Sequence, residues 1–231
     1  MNAREQMEEL FSQYSENELI FASKLYAEVF ADTISESAYY QTLSRMCKRG
    51  YLHRLSKGVY CRPEKTRFGL VLPSESKITE TFTEKEQGVI VGYALYNSLG
   101  LTTQISKIIE IYSSLLDENV KQIGNIIVKK FLLKYDESSQ MAIKMFDILY
   151  HYKEIEDINN KQFIKFCEAY AKQYSEAATE YILQHISYPK WTIAFLREVL
   201  NYYHVDNNLS KYLSALSEYK IPRMEDINEA A

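Results

Sequence analysis

The sequence predicts an α+β protein, mostly helical, built as an N-terminal winged helix-turn-helix, a small central α/β unit and a C-terminal helical region. Three observations carry that prediction. Glycine and proline number only 7 and 4 in 231 residues, which is too few punctuators for a large β-sandwich and makes long helices the default. Three helical stretches are followed, over residues 51–63, by a short alternating segment with a turn, the order of elements in a winged helix. From about residue 138 onward the apolar period is helical throughout.

Residues 4–14 and 18–30 read as amphipathic helices, the second with Leu19, Ile20, Ala22, Leu25, Tyr26, Val29 and Phe30 at helical spacing. After the polar turn ADTISES, Ser35 can cap a third helix by accepting an orphan backbone N–H. That helix runs from Glu36 to Arg49 and stops at Gly50, a favourable residue just past a helix end. Its core stripe is expected to be Tyr39, Leu43, Met46 and Cys47, so that Ser37, Tyr40, Gln41, Ser44, Arg45 and Lys48 share the opposite face. In YLHRLSKGVYCRP, Leu52 and Leu55 lead to the turn Ser56-Lys57-Gly58, and Val59 and Tyr60 return. This reads as a two-stranded ribbon with a basic tip, closed by Pro63. It ends a first domain, residues 1–63.

Residues 64–136 read as the small α/β domain. VIVGYALYNSLG is expected to be a helix ending at Gly100, with Gly92, Ala94 and Ser98 packing closely on a neighbouring hairpin. KIIEIYSS is a strand candidate, and VKQIGNIIVKKFLLK reads as two strands joined at Gly124-Asn125. The third domain, residues 137–231, holds five successive helical candidates: SSQMAIKMFDILYHYKEI, NKQFIKFCEAYAKQY, SEAATEYILQHI, PKWTIAFLREVLNYYH and NNLSKYLSALSEYK. Pro189 suits the first turn of its helix, and the tail IPRMEDINEAA is expected to fray.

Charge is distributed unevenly. The chain carries a formal net charge of −4, yet residues 45–67 hold eight Lys/Arg against one Asp/Glu, a local +7. An acidic protein with one compact basic island is expected to meet a polyanion there. Cys47, Cys61 and Cys167 form no close pair, so neither a disulfide framework nor a zinc site is expected. His53, His151, His185 and His204 are scattered without metal-ligand spacing, and there is no Gly-rich phosphate loop or nucleophile elbow. No enzyme activity, catalytic residue, cofactor or metal is expected. No apolar run approaches the roughly 20 residues of a membrane span, and the start MNAREQMEEL is too acidic for a signal peptide. A cytoplasmic protein without membrane association is the expectation.

Particular motifs carry a family resemblance. In SESAYYQTLSRMCKRGYLHRLSKGVY, residues 35–60, the step Leu43-Ser44-Arg45, then Lys48-Arg49-Gly50 and the wing Gly58-Val59-Tyr60 fall in order. They are followed by Leu99, Gly100, Leu101, Thr103 and Gln104 of GYALYNSLGLTTQIS, and by IYSS with the turn Ile123 to Asn125. Over about residues 20–135 the chain resembles the AbiEi family of bacterial antitoxins, in which LSRL, KRG, RGxY and LGLxTQ elements hold these places. The resemblance implies a DNA-binding transcriptional regulator that represses its own operon and counteracts a co-encoded nucleotidyltransferase-like toxin in phage defence. Residues 138–231 lie outside it.

The basic island and the resemblance both point to double-stranded operator DNA as partner. Ser37, Tyr40, Gln41, Ser44 and Arg45 are expected to face base edges in the major groove. Lys48 joins them on the helix surface, and Arg49, Arg54 and Lys57 are expected to hold phosphates, which position the module without reading sequence. Dipole complementarity at a helix end accounts for Lys48 and Arg49 but not for the cations beyond. RNA modules usually show stacked aromatics on a sheet face or a Gly-rich clamp, and here only Tyr40 and Tyr60 are placed for that, with Tyr60 expected in the core. The alternative is a protein–protein adaptor using the winged helix as an interaction module, since the fold serves both roles. The dense C-terminal tyrosines fit a helical core and, where exposed, an interface with a second copy or a toxin.

Overall fold

The computed structural model describes residues 3–214 and 216–231, and the protein is α+β as the sequence predicts. The N-terminal unit opens with α1 (Ala3–Ser12) and a strand, β1 (Leu19–Phe21). The helix expected over 18–30 is corrected here. Leu19, Ile20 and Phe21 pair antiparallel with the wing strand at Cys61, Tyr60 and Val59. Helix begins only at α2 (Ala22–Leu25) and continues as a π-helical turn, Tyr26–Phe30, in which Ala31 N–H donates to the Tyr26 carbonyl. The partner strand lies some 40 residues away, so the helical spacing of 19–21 had no local competitor to reveal it.

α3 (Glu36–Lys48) follows the cap at Ser35, whose hydroxyl accepts the Ala38 N–H. Gly50, at φ +69°, takes the left-handed place after the helix end. Then come β2 (His53–Ser56) and β3 (Val59–Cys61), joined by the Lys57-Gly58 turn. With β1 the wing has three strands, in the order β1-β3-β2, rather than two. Tyr39 anchors this unit. It is fully buried, its hydroxyl donates to the Ala22 carbonyl at 3.1 Å, and its ring lies within 5.2–5.4 Å of Tyr26, Tyr40 and Phe30. Burying such a ring contributes about 2–3 kcal/mol. Leu43 and Met46 complete the inward stripe, while Cys47 is only half-buried.

An exposed hairpin, β4 (Glu64–Thr66) and β5 (Gly69–Val71), leads to α4 (Glu75–Thr83) and a single 3₁₀ turn. The segment VIVGYALYNSLG is not one helix. Its first part completes β6 (Gly88–Val91), and α5 (Gly92–Ser98) begins at Gly92 with φ +68°. Valine and isoleucine in a row suit a buried strand, and the glycine turns the chain sharply. With β7 (Ile109–Ser113), β8 (Val120–Ile123) and β9 (Ile126–Lys130), β6 forms a four-stranded sheet in the order β6-β7-β9-β8. The β7–β9 pair is parallel, and β8 and β9 meet at the expected Gly124-Asn125 turn.

Both faces of this sheet are covered. Ile111, Ile123, Ile126 and Val128 pack with Ile78 and Phe82 of α4 and with Leu19 and Val59 of the wing. Val89 and Val91 belong to a larger core shared with the C-terminal helices α6 (Glu137–His151), α7 (Asn160–Lys172), α8 (Glu176–His185) and α9 (Lys190–Tyr202). The fifth expected helix is reduced to a 3₁₀ turn, Leu209–Tyr212, which docks on α9 through Leu209; Ala215 of that segment lies outside the described residues. The tail does not fray. It forms α10 (Met224–Glu229), which buries Met224 and Ile227 against α7 and α9, an i, i+3 apolar pair too short to register as a periodic signal. Among the described residues no helix is long and apolar enough to cross a membrane.

Gly88 sits where the sheet meets α4. A Cβ there would stand 2.4 Å from both the Phe82 and the Tyr112 carbonyl oxygens. Gly88→Ala is therefore expected to destabilise the protein by about 2–3 kcal/mol. Gly124→Ala, with open space around its Cβ position but φ +60°, is expected to cost about 1–2 kcal/mol. Urea unfolding of both variants checks the order.

Candidate nucleic-acid interface

α3 displays the expected polar face. Ser37, Gln41, Ser44, Arg45 and Lys48 are exposed, because the buried stripe of Tyr39, Leu43 and Met46 fixes the rotation of the helix. Gln41 Nε2 donates to Ser37 Oγ at 3.4 Å, a weak contact that leaves both groups open to solvent. Tyr40 departs from the expected exposure. It is half-buried with its ring edge-on to Tyr39, and it faces the wing rather than standing clear of the helix. Arg49 occupies the helix C-cap.

The wing turns its cations toward α3. Arg54 projects from β2, its Nε donating to the Ser56 carbonyl at 3.3 Å. Burial pushes the Cys47 thiol and the Tyr60 phenol up, and the Arg54 guanidinium beside them pulls both the other way. Lys57 is exposed at the turn, next to Gly58 with φ +78°. Between helix and wing lies a cleft of about 450 Å³ lined by Ser23, Tyr40, Ser44, Arg54, Lys57 and Glu118, with Gly58 and Tyr60. The structure thus brings four of the sequence-derived residues, Tyr40, Ser44, Arg54 and Lys57, to one cleft. Ser37, Gln41, Arg45, Lys48 and Arg49 lie on the adjoining helix surface.

The cations of this face are not neutralised internally. Among the described residues Arg45, Lys48, Arg49, Arg54 and Lys57 make no ion pair, a state they share with surface cations elsewhere such as Lys107, Lys165 and Arg223; what sets these five apart is their grouping on one helix and the wing beside it. Arg62 belongs to the basic island by sequence but not to this face. Its guanidinium donates to the Ser12 and Tyr14 carbonyls, satisfying the end of α1.

Sequence reasoning missed the loop between β7 and β8, which reaches the cleft from the sheet. Asp117 accepts the Ser23 hydroxyl, and it adds to burial and Glu36 in raising the Tyr40 phenol. Glu118 pairs with Lys121, whose ammonium also donates to the Lys57 carbonyl in the wing turn. Lys121 is only 6% exposed, so the wing tip is tied to the sheet by a buried cation. The alternation of Val120 to Ile123 places Lys121 on the inner face of the strand, but which neighbour it meets depends on the tertiary fold. Among the described residues no group of three metal-ligating side chains occurs. Thr103 and Gln104 are exposed; the buried member of that turn is Thr102, whose hydroxyl donates to the Glu156 carbonyl at 2.8 Å.

No curated protein matches the chain. Among solved structures, the crystal structure of the RV2827C protein from Mycobacterium tuberculosis is similar, with a TM-score of 0.42 and 8% identity over 84% of this chain and 74% of that one. A family model described as a family of unknown function, DUF6088, matches residues 17–168.

Lys121→Met keeps the length of the side chain but removes both contacts. It leaves the Lys57 carbonyl without that donor and Glu118 without its counter-ion, at an expected cost of about 1–3 kcal/mol. Hydrogen exchange is expected to show faster exchange at Gly58 and Val59 in this variant, with the amides of α6 unaffected.

Proposed function

The chain belongs to DUF6088, a family of unknown function, and we propose that it binds duplex DNA as a transcriptional regulator of antitoxin type. The observation that carries the DNA reading is the grouping of five unpaired cations, Arg45, Lys48, Arg49, Arg54 and Lys57, along α3 and the wing that borders one cleft with it. Holding like charges together costs stability through mutual repulsion, and an incoming row of phosphates removes that cost. In this reading α3 enters the major groove, where Ser37, Gln41, Ser44 and Arg45 meet base edges and Arg45 can make a bidentate pair with guanine. Lys48, Arg49, Arg54 and Lys57 hold the flanking phosphates. Tyr40, half-buried at the back of the cleft, supports the wing-facing side of the helix and offers its hydroxyl to whatever enters. The antitoxin part of the proposal, repression of its own operon and neutralisation of a co-encoded nucleotidyltransferase-like toxin, is supported by the AbiEi resemblance of residues 20–135. Co-expression with the product of a neighbouring reading frame tests that part separately.

Electrophoretic mobility shifts with the protein's own promoter test the DNA part. With Arg49, Arg54 and Lys57 each on a phosphate, log affinity is expected to fall with log salt at a slope of about −3. Absence of binding at low salt, or binding without salt dependence, would overturn the proposal. Arg45→Ala is expected to cost about 1–3 kcal/mol on the operator and far less on random duplex. Lys57→Ala is expected to weaken both about equally.

The loop acid gives an opposite-signed check. Asp117 lies beside Ser23 and Tyr40 at the helix side of the cleft. Asp117→Asn is expected to tighten DNA binding about two- to fivefold at low salt, with the gain fading as salt screens the charge. A loss of affinity in that variant would mean that the phosphates run elsewhere.

A further inference from the structure

A second cleft, of about 440 Å³, lies on the other side of the sheet, between β7, the end of α6 and the segment before α9. Asp147, Tyr112, Tyr150, His151 and Tyr188 line it, with Ile186, Ser187 and Pro189. Asp147 is 5% exposed. Its Oδ2 accepts the Gly92 N–H at 2.8 Å and the Tyr96 hydroxyl at 2.9 Å, which fixes the carboxylate and starts α5. Among the described residues Oδ1 accepts no hydrogen bond and the hydroxyls of Tyr112, Tyr150 and Tyr188 make none, yet none of these atoms is sealed from solvent. The structural cap for Gly92 thus uses one carboxylate oxygen and leaves the other open to the cleft.

The walls are packed from behind. Each lining ring is backed by another aromatic: Tyr112 by Phe131 at 4.6 Å, Tyr188 by Phe146 stacked at 4.6 Å, and Tyr150 by Trp191 stacked at 5.6 Å. Each ring is thus backed on one side, and the Lys129 ammonium already stands 5.9 Å from the centre of the Tyr112 ring. The groups facing Asp147 from the surrounding elements compensate it only in part. On β7, Glu110 is paired with Lys129 of β9 at 2.5 Å, and on its own helix His151 is held by Glu154 at 2.6 Å. On α5 and before α9 the neighbours are the phenols Tyr96 and Tyr188.

We propose that this cleft binds a small organic cation, an amine or guanidinium carried on an apolar body, with Asp147 as its counter-ion and Tyr112, Tyr150 and Tyr188 as its walls. Aromatic faces attract cations through the ring quadrupole. An anion would meet Asp147, and a neutral aromatic would stack but leave Oδ1 unmatched. The volume suits a small molecule, at the lower end of the roughly 300–1,000 Å³ of such sites. Burial raises the Asp147 carboxyl against the opposing pull of Gly92, Tyr96 and His151, with Glu110 adding to the rise. A cation selects the ionised carboxylate, so over the range in which Asp147 titrates affinity rises with pH.

The test uses the full chain without DNA, so its outcome is separate from that of the interface on α3. Calorimetric titration with benzylamine and agmatine, against benzyl alcohol and benzoate, is expected to rank at least one cation about tenfold or more above both controls. Asp147→Asn is expected to remove that preference. Should that variant fail to fold, Tyr150→Ala, which keeps the carboxylate and alters a half-open wall, is expected to weaken the amine several-fold with the melting temperature retained. Neither cation binding more tightly than the controls, or unchanged amine binding in either folded variant, would overturn the proposal.

Discussion

Burial of both faces of the four-stranded sheet is the constraint on which the rest of the structure depends. Side chains alternate across a strand, so β7 sends Ile111 toward the wing and Tyr112 toward the C-terminal helices. A one-residue slip of any strand would exchange the two sets and expose both cores. The winged helix is therefore not a bead on a string. Leu19 and Val59, which stitch β1 to β3, belong to the same cluster as Ile123 and Val128 of the sheet. On the opposite face, Val89 and Val91 share a core that runs through Phe146 and Leu196 to Ile227. One small sheet sets the position of the elements on both sides of it.

That arrangement explains why a lysine can lie inside. Lys121 pairs in register with Val128, on the face that meets the wing. An ammonium there is tolerated because a carboxylate and a backbone carbonyl both reach it. In exchange for its desolvation the contact specifies geometry: an apolar side chain would fill the space without selecting the wing turn as its neighbour. The loop that supplies Glu118 also supplies Asp117, so the sheet contributes acidic groups to a cleft whose other charged members are basic.

Much of the architecture was legible locally. Ser35, Gly50, Gly100 and the Gly124-Asn125 turn each announce themselves through caps or backbone preference, and the structure uses them as such. The face of α3 follows from the spacing of Tyr39, Leu43 and Met46 alone. What escaped depends on distant partners. Residues 19–21 and 88–91 become strands only because β3 and β7 are there to pair with, and α10 forms because α7 and α9 offer it a surface. The same holds for the interface. Arg45 and Arg54 could be named from the island of charge, but Asp117, Glu118 and Lys121 arrive from about 60 residues beyond the wing, and no motif marks them. Asp147 is similarly silent in sequence: one acid among many on a helix, distinguished only by Gly92 and Tyr96 folding over it.

The long-range partners of β1 impose an order on synthesis. As the chain leaves the ribosome, Leu19–Phe21 has no strand to pair with until Val59–Cys61 has emerged, and only then can the core around Tyr39 close. Even so, Leu19 and Val59 still present apolar surface to water until Ile123 to Val128 have been made. At about 5–20 residues per second, the nascent winged helix carries that uncovered strip for several seconds. The parallel pairing of β7 with β9, which skips over β8 in sequence, also waits until Ile126–Lys130 has been made. Apolar replacements that enlarge the strip around Leu19 would thus be paid for in aggregation during translation, even where the finished fold accommodates them.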